Sequence, residues 1–200
     1  MTAPANPPTL IYRPRSILER LVWTDLFPAT QPIEVELGSG DGSFLVEHAR
    51  QHPDRNFIGV ERLLGRLRKS DRKGLRAGLR NLRLVRLEAG YLVEYLLPSV
   101  SAQALHVYFP DPWPKRKHQK YRLVNEAFAS AAGRALVPGG TVYLRTDDVD
   151  YFAQMQTVFG RDPGFAETET PEVLRVIATD FERDFHAQGK ATLLAAWQRR

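Results

Sequence analysis

The chain contains no cysteine. That absence excludes disulfides, thiolate metal sites and a cysteine nucleophile at once, and it is compatible with the cytosol. No long apolar run stands at the N-terminus. Neither a signal peptide nor a membrane span is therefore expected, and the cytoplasm is the expected location. No internal repeat and no second domain is visible. The five histidines, at 48, 52, 106, 118 and 186, lack metal-ligand spacing and read as ordinary core or surface residues, so no metal is expected.

Two nucleotide-binding patterns are missing as well. The segment Glu36-Leu-Gly-Ser-Gly-Asp-Gly42 has the spacing G-x-G-x-G, and the place of a third dinucleotide glycine is taken by Ser43. The pyrophosphate fingerprint is thus not met, which disfavours a nicotinamide oxidoreductase. No G-x-x-x-x-G-K-[ST] loop for triphosphates occurs either. Acids are nearly lacking from Arg62 to Arg86, where Asp71 stands alone among ten lysines and arginines.

What is present is a regular alternation of strand and helix signals. Two hundred residues, 43% of them hydrophobic, suit one domain with a substantial core. Residues 1–14, with Pro4, Pro7, Pro8 and Pro14, read as a flexible arm, and residues 15–200 as the single domain. Ser16 to Trp23 has capping-box spacing at Ser16 and Glu19 and predicts a short helix. Strands are predicted over 32–37, 56–60, 82–87, 104–109 and 141–145. Helices are predicted over 44–52, 63–79, 91–97, 121–136 and 148–158. Residues 179–188 suggest a further helix and 191–197 a returning strand. Units of this length imply an open, doubly wound, mostly parallel α/β sheet with helices on both faces, three layers in all.

In such a sheet, ligands lie at the C-terminal ends of the strands. The glycine segment holds that place after the first core strand, and Glu61 holds it after the second, about twenty residues on. Glu61 suits the two hydroxyls of a ribose. Glu36, a second acid beside the glycines, suits positive charge rather than phosphate. An adenosine compound with a cation and no phosphate is S-adenosylmethionine.

The net charge of +5 favours an anionic partner. Arg62, Arg66, Lys69, Lys73, Arg76 and Arg80 are spaced for one helix face, with Leu64, Leu67, Leu75 and Leu79 on another. Lys115 to Arg122 forms a second basic cluster. Both are footprints for a nucleic-acid backbone. Between them lies Phe109-Pro-Asp-Pro-Trp-Pro114, three prolines stiffening the chain around Asp111 and Trp113. Trp113 reads either as a stacking partner for a base or as a buried anchor.

Glu36-Leu-Gly-Ser-Gly-Asp-Gly, Glu61-Arg62, Phe109-Pro-Asp-Pro-Trp-Pro-Lys115, Thr146-Asp147 and Thr179-Asp-Phe-Glu182 together resemble the bacterial tRNA (guanine-N7-)-methyltransferases of the TrmB type. The resemblance runs from about Ile33 to the C-terminus. It implies a Rossmann-like class I methyltransferase fold and transfer of a methyl group from S-adenosylmethionine to a guanine N7 in the variable loop of tRNA. It also implies that Glu36, Gly38, Gly40, Glu61, Arg62, Glu88, Ala89 and Asp111 hold the cofactor, with Asp111 catalytic. Lys115, Asp147, Thr179, Asp180, Phe181 and Glu182 would meet the tRNA. Two positions depart from the family pattern: Glu88-Ala89 stands where Asp-Ala is usual, and Pro114 where histidine is usual. A non-catalytic RNA-binding module and another nucleobase methyltransferase are the alternatives, and both a monomer and a homodimer are compatible with the sequence.

Overall fold

The computed structural model describes residues 8–200, apart from the side chain of His186. Eight strands form one sheet: β1 (Ile11–Tyr12), β2 (Ile33–Leu37), β3 (Asn56–Val60), β4 (Leu82–Val85), β5 (Ala102–Tyr108), β6 (Leu136–Thr146), β7 (Phe165–Thr168) and β8 (Leu193–Arg199). Their spatial order is β1-β4-β3-β2-β5-β6-β8-β7. β1 to β6 are mutually parallel, and β8 runs antiparallel between β6 and β7. The order reverses between β2 and β5, which places the switch point there.

Helices cover both faces: α1 (Trp23–Leu26), α2 (Ser43–Gln51), α3 (Leu64–Arg76), α4 (Ala89–Tyr91), α5 (Glu126–Ala135), α6 (Val149–Arg161), α7 (Glu172–Arg175) and α8 (Asp180–Ala187). Strand alternation sorts the core into two layers. Val35, Leu105, Val107, Val142 and Leu144 face α5 and α6 side chains such as Phe128 and Phe159, while Phe57, Leu84 and Tyr108 meet Phe44, Leu45 and Leu67 of α2 and α3. No described helix is long and apolar enough to cross a membrane.

Several boundaries differ from the sequence reading, each for a tertiary reason. Of the arm expected over 1–14, residues 1–7 lie outside those described, and Ile11–Tyr12 pair with β4. Asp71, the lone acid of the basic stretch, accepts from Leu10 N at 2.7 Å and Thr9 Oγ1 at 3.1 Å. Leu10 then packs over Gly74, where a Cβ would lie 2.5 Å from its Cδ1.

The helix expected over 16–23 is replaced by a bent segment followed by the short α1. Leu21 N donates to Leu96 O, and Tyr91 Oη donates to Ile17 O, so backbone groups of this segment are used across the fold. The expected helix over 91–97 is mostly a π turn, Leu92–Leu96. The helix expected from Tyr121 begins at Glu126, capped by Asn125 Oδ1 on Phe128 N, and a 3₁₀ turn covers Arg116–Tyr121. β6 starts at Leu136, earlier than expected, and takes Pro138-Gly139-Gly140 into a register shift opposite Ala102 and Ala104.

Candidate active site

β2 ends at Leu37 and β5 at Tyr108, and the loops that follow them face each other across the switch point. Gly38 and Gly40 have φ of 83° and 55°, and among the described residues a Cβ at either would meet no atom within 4 Å beyond its chain neighbours. Those two glycines therefore border open space and allow a ligand close to the backbone. Gly42, at φ 80°, does a different job. A Cβ there would sit 2.2 Å from Ser70 Oγ, so glycine lets α3 pack against the start of α2.

Glu36 lies beside these glycines and is 3% exposed, and its Oε2 has no hydrogen-bond partner among the described residues. Burial pushes its carboxyl up to about 8; Arg145 opposes this, while Asp41 and Glu61 reinforce it. A buried acid without a partner is costly unless something binds it, and a cationic ligand group would. The site thus fits the ammonium of S-adenosylmethionine on its own chemistry. Glu61 is buried too, but its oxygens accept from Gly40 N at 3.2 Å and Leu63 N at 2.7 Å. It ties the end of β3 to the glycine loop, and a carboxylate retains further lone pairs for hydroxyls. Arg62 is exposed, and its carbonyl accepts from Arg86 Nε at 3.2 Å. Glu88 spends its side chain as the cap of α4, accepting from Gly90 N at 2.9 Å and Tyr91 N at 2.7 Å.

Across the switch point, Phe109 (φ 50°) and Trp113 (φ 45°) hold the Asp111 loop in a conformation that non-glycine residues seldom adopt. Two clamps maintain it. Phe109 N donates to Arg145 O at 2.8 Å, and Arg122 Nε donates to Pro112 O at 2.7 Å. Arg122 was read as part of the basic cluster, yet it is buried, reaching Gln154 Oε1 and Asp150 Oδ2 at 2.8 and 2.6 Å. Asp111 is exposed at the head of this loop. Trp113 packs against Tyr121 and His118, at 5.5 and 5.9 Å between centroids. Lys115, Arg116, Lys117 and Lys120 face solvent.

The third wall is the C-terminal segment. Thr179 and Glu182 form a capping box on α8: Glu182 N donates to Thr179 Oγ1 at 3.0 Å, and Thr179 N to Glu182 Oε2 at 3.1 Å. Both are buried, and Glu182 Oε2 also accepts from Arg145 at 2.8 Å. Asp180 N donates to Ser43 Oγ at 3.1 Å, which brings α8 against the start of α2. Phe181 is exposed, with Arg66 5.3 Å over its ring. Asp147 is half-buried, with Lys190 Nζ at 3.3 Å, while Asp148 caps α6 as its position suggested, accepting from Tyr151 N.

The basic stripe is only partly one helix face. Arg66, Lys69 and Arg76 are exposed on α3, but Arg62 precedes the helix and Arg80 follows it beyond Gly78. Lys73 is drawn to Asp41 at 2.6 Å. The inward face is Leu67, Ser70 and Gly74 rather than a run of leucines.

Sequence spacing also concealed a buried polar network under the site. Glu34 Oε2 accepts from His48 Nε2 and His106 Nε2, both at 2.9 Å, and His106 Nδ1 meets Tyr108 Oη at 2.9 Å. Arg55 bonds the other Glu34 oxygen. One carboxylate thereby joins β2, α2 and β5, the three elements that carry the glycine loop and the Asp111 loop. Burial alone would raise Glu34, but the His106 and His48 donors more than reverse this and hold it well below the carboxylate range. Burial, only partly offset by Glu34, lowers His106. Both groups lose their contribution on acidification: the unfolded chain takes up protons first, near pH 6.5 for histidine and 4.3 for glutamate. Glu36 titrates in the opposite sense, so the test belongs in Glu36→Gln. In that background the melting temperature is expected to fall by at least ~3 °C from pH 7 to pH 4; a flat profile would refute the network's contribution.

A family model described as "Putative methyltransferase" matches residues 30–195. The tRNA (guanine-N(7)-)-methyltransferase of Thermotoga maritima is 34% identical over 175 residues, covering 87% of this chain and 56% of that sequence. The chain thus spans little more than half of that relative. The Rubrobacter xylanophilus protein of the same name is 37% identical, covering 76% of this chain and 68% of its own. Among solved structures, the 16S rRNA methyltransferase KamB superposes with a TM-score of 0.63 at 16% identity, over 88% of this chain and 92% of its own, a likeness of fold. The chain belongs to the tRNA (guanine-N(7)-)-methyltransferase family.

Proposed function

We propose that the chain methylates N7 of a guanine in the variable loop of tRNA, using S-adenosylmethionine. The observation that carries this is the buried carboxyl group of Glu36, whose Oε2 has no partner among the described residues, beside the glycine loop and across the switch point from the clamped Asp111 loop. The bound cofactor supplies an electrophilic methyl group on a sulfonium. Guanine N7 offers an in-plane lone pair, so no base is needed to remove a proton, and no step calls for a metal. The protein's contribution is alignment and electrostatics.

In this reading Glu36 pairs the ammonium group, Glu61 the ribose hydroxyls, and Gly38 and Gly40 admit the chain between them. Arg62 lines the ribose side. Glu88 is engaged in capping, so the contact at that position falls to the backbone of Ala89. Asp111 faces the positive charge that spreads into the purine as the methyl arrives. Asp147 accepts from guanine N1 and N2. Glu182, buried against Arg145, acts by holding Thr179, Asp180 and Phe181 in place. Lys115 takes a phosphate. The substrate puts the reaction in the cytoplasm.

The test is incubation with undermethylated tRNA and radiolabelled cofactor, followed by digestion to nucleosides. Label in 7-methylguanosine supports the reading. Label on an exocyclic amine would indicate a different nucleobase methyltransferase, and no label with retained tRNA binding would indicate a non-catalytic RNA-binding module.

The exposed cations of α3 belong to the tRNA face. Replacing Lys69 and Arg76 together by glutamine is expected to weaken tRNA binding about tenfold and to reduce the salt slope by about 2, leaving cofactor affinity unchanged. Titrations at several salt concentrations read this, and an unaltered slope would remove α3 from the interface.

A further inference from the structure

Arg145, one residue before the end of β6, lies on the same face as Tyr143 and is 1% exposed, first by volume among the fully buried side chains described. A guanidinium cannot shed its proton, so its burial must be matched by partners. Nη1 donates to Glu182 Oε2 at 2.8 Å and to Ile177 O at 3.0 Å, and Nη2 donates to Leu174 O. Its Cζ lies 4.1 Å from the Tyr108 ring centroid and 5.5 Å from that of Phe44. Its carbonyl accepts from Phe109 N, where the Asp111 loop begins. Among the described residues, the unpartnered buried polar atoms here include Arg145 Nε and Glu36 Oε2, together with Ser39 Oγ of the glycine loop and His48 Nδ1 of α2.

We propose that Arg145 is a positioning residue that couples the two half-sites, its one guanidinium serving Glu182 on the guanine side and Glu36 on the cofactor side. The inference rests on the methyltransferase reading for what each side binds. Glu36 and Arg145 lie on one face of the sheet, on the two strands that flank β5, with Glu36 in register with His106 and Arg145 with Tyr108; Asp41 of the glycine loop and Glu61 at the end of β3 complete the charged surroundings of Glu36. Of these, Arg145 is the group that favours its charged form. Charge on Glu36, needed to hold an ammonium, therefore draws on the same cation that seats residues 174–182. Coupling of this kind is reciprocal: whatever orders one side changes affinity at the other.

The coupling separates from ordinary structural damage because two variants move one quantity in opposite directions. In the ligand-free protein, the titration midpoint of the Glu36 carboxyl is followed by carbon-13 NMR. Arg145→Met is expected to raise it by at least about one unit, and Glu182→Gln, which frees the guanidinium for Glu36, to lower it. Calorimetry should show the same shifts in the pH dependence of S-adenosylmethionine binding. Arg145→Lys keeps the charge and loses the fork. It should leave the midpoint near wild type while raising KM for tRNA about tenfold or more.

Should Arg145→Met fail to fold, Glu182→Gln and Arg145→Lys still decide the matter. An unmoved midpoint in Glu182→Gln, or an upward shift in both Glu182→Gln and Arg145→Lys, would overturn the coupling. Wild-type protein that forms no 7-methylguanosine overturns the function instead, while shifts of opposite sign would still support the Arg145–Glu36 half.

Discussion

Asp111→Asn is expected to lower kcat by about 10²–10³-fold, the loss typical of one preorganised electrostatic group at a reacting centre. Asparagine preserves shape but removes the charge and exchanges one acceptor oxygen for a donor. Asp111 is exposed at the head of its loop, so the fold should be unaffected. Its loop is held from both sides, by Arg145 O on Phe109 N and by Arg122 on Pro112 O. The carboxylate is therefore positioned by groups that the substitution leaves alone. Single-turnover methylation of tRNA measures the effect. Full turnover with normal cofactor affinity would end the catalytic assignment.

Glu36→Gln should affect binding and stability in opposite senses. Removing the charge from a buried pair costs about 2–5 kcal/mol, so S-adenosylmethionine affinity is expected to fall about 10²-fold. The ligand-free protein should gain stability. Burial holds the folded carboxyl near 8, above its ordinary value of 4.5. Between those values the unfolded chain binds fewer protons, and stability declines as pH rises. At pH 8 glutamine should recover up to ~4 kcal/mol of that loss. In the wild type, cofactor affinity should climb with pH up to about 8, because the carboxyl must give up a proton to pair an ammonium. The variant should show no such climb. Calorimetry at several pH values, paired with thermal melts, reads both effects. A variant that binds as tightly as wild type, or melts lower at pH 8, would contradict the reading of Glu36.

Much of this was legible from local pattern. Glycine spacing and the two acids at strand ends indicated a nucleoside site without a pyrophosphate. The prolines around Asp111 marked a rigid loop, whereas the capping box that Thr179 and Glu182 form emerges only in the structure. Strand and helix periods of 2 and 3.6 residues report which face is apolar, and they were enough for a doubly wound sheet.

What sequence alone determined was most of the core strands and helices and the doubly wound class of the fold, together with the residue types of the glycine and Asp111 loops on which the proposed chemistry rests, because those depend on neighbours along the chain. What only the tertiary structure decided was which charged residues are exposed and which are internal. Arg122 and Arg145 look like any other cations, yet both are buried and clamp the Asp111 loop. Glu34, His48 and His106 meet only because β2, α2 and β5 are packed side by side. Asp71 proved to anchor the N-terminal edge, and Glu182 to be the counter-ion of Arg145. The physical reason is the same in each case. A charge leaves water only when partners distant in sequence arrive together, and no local pattern records that arrival.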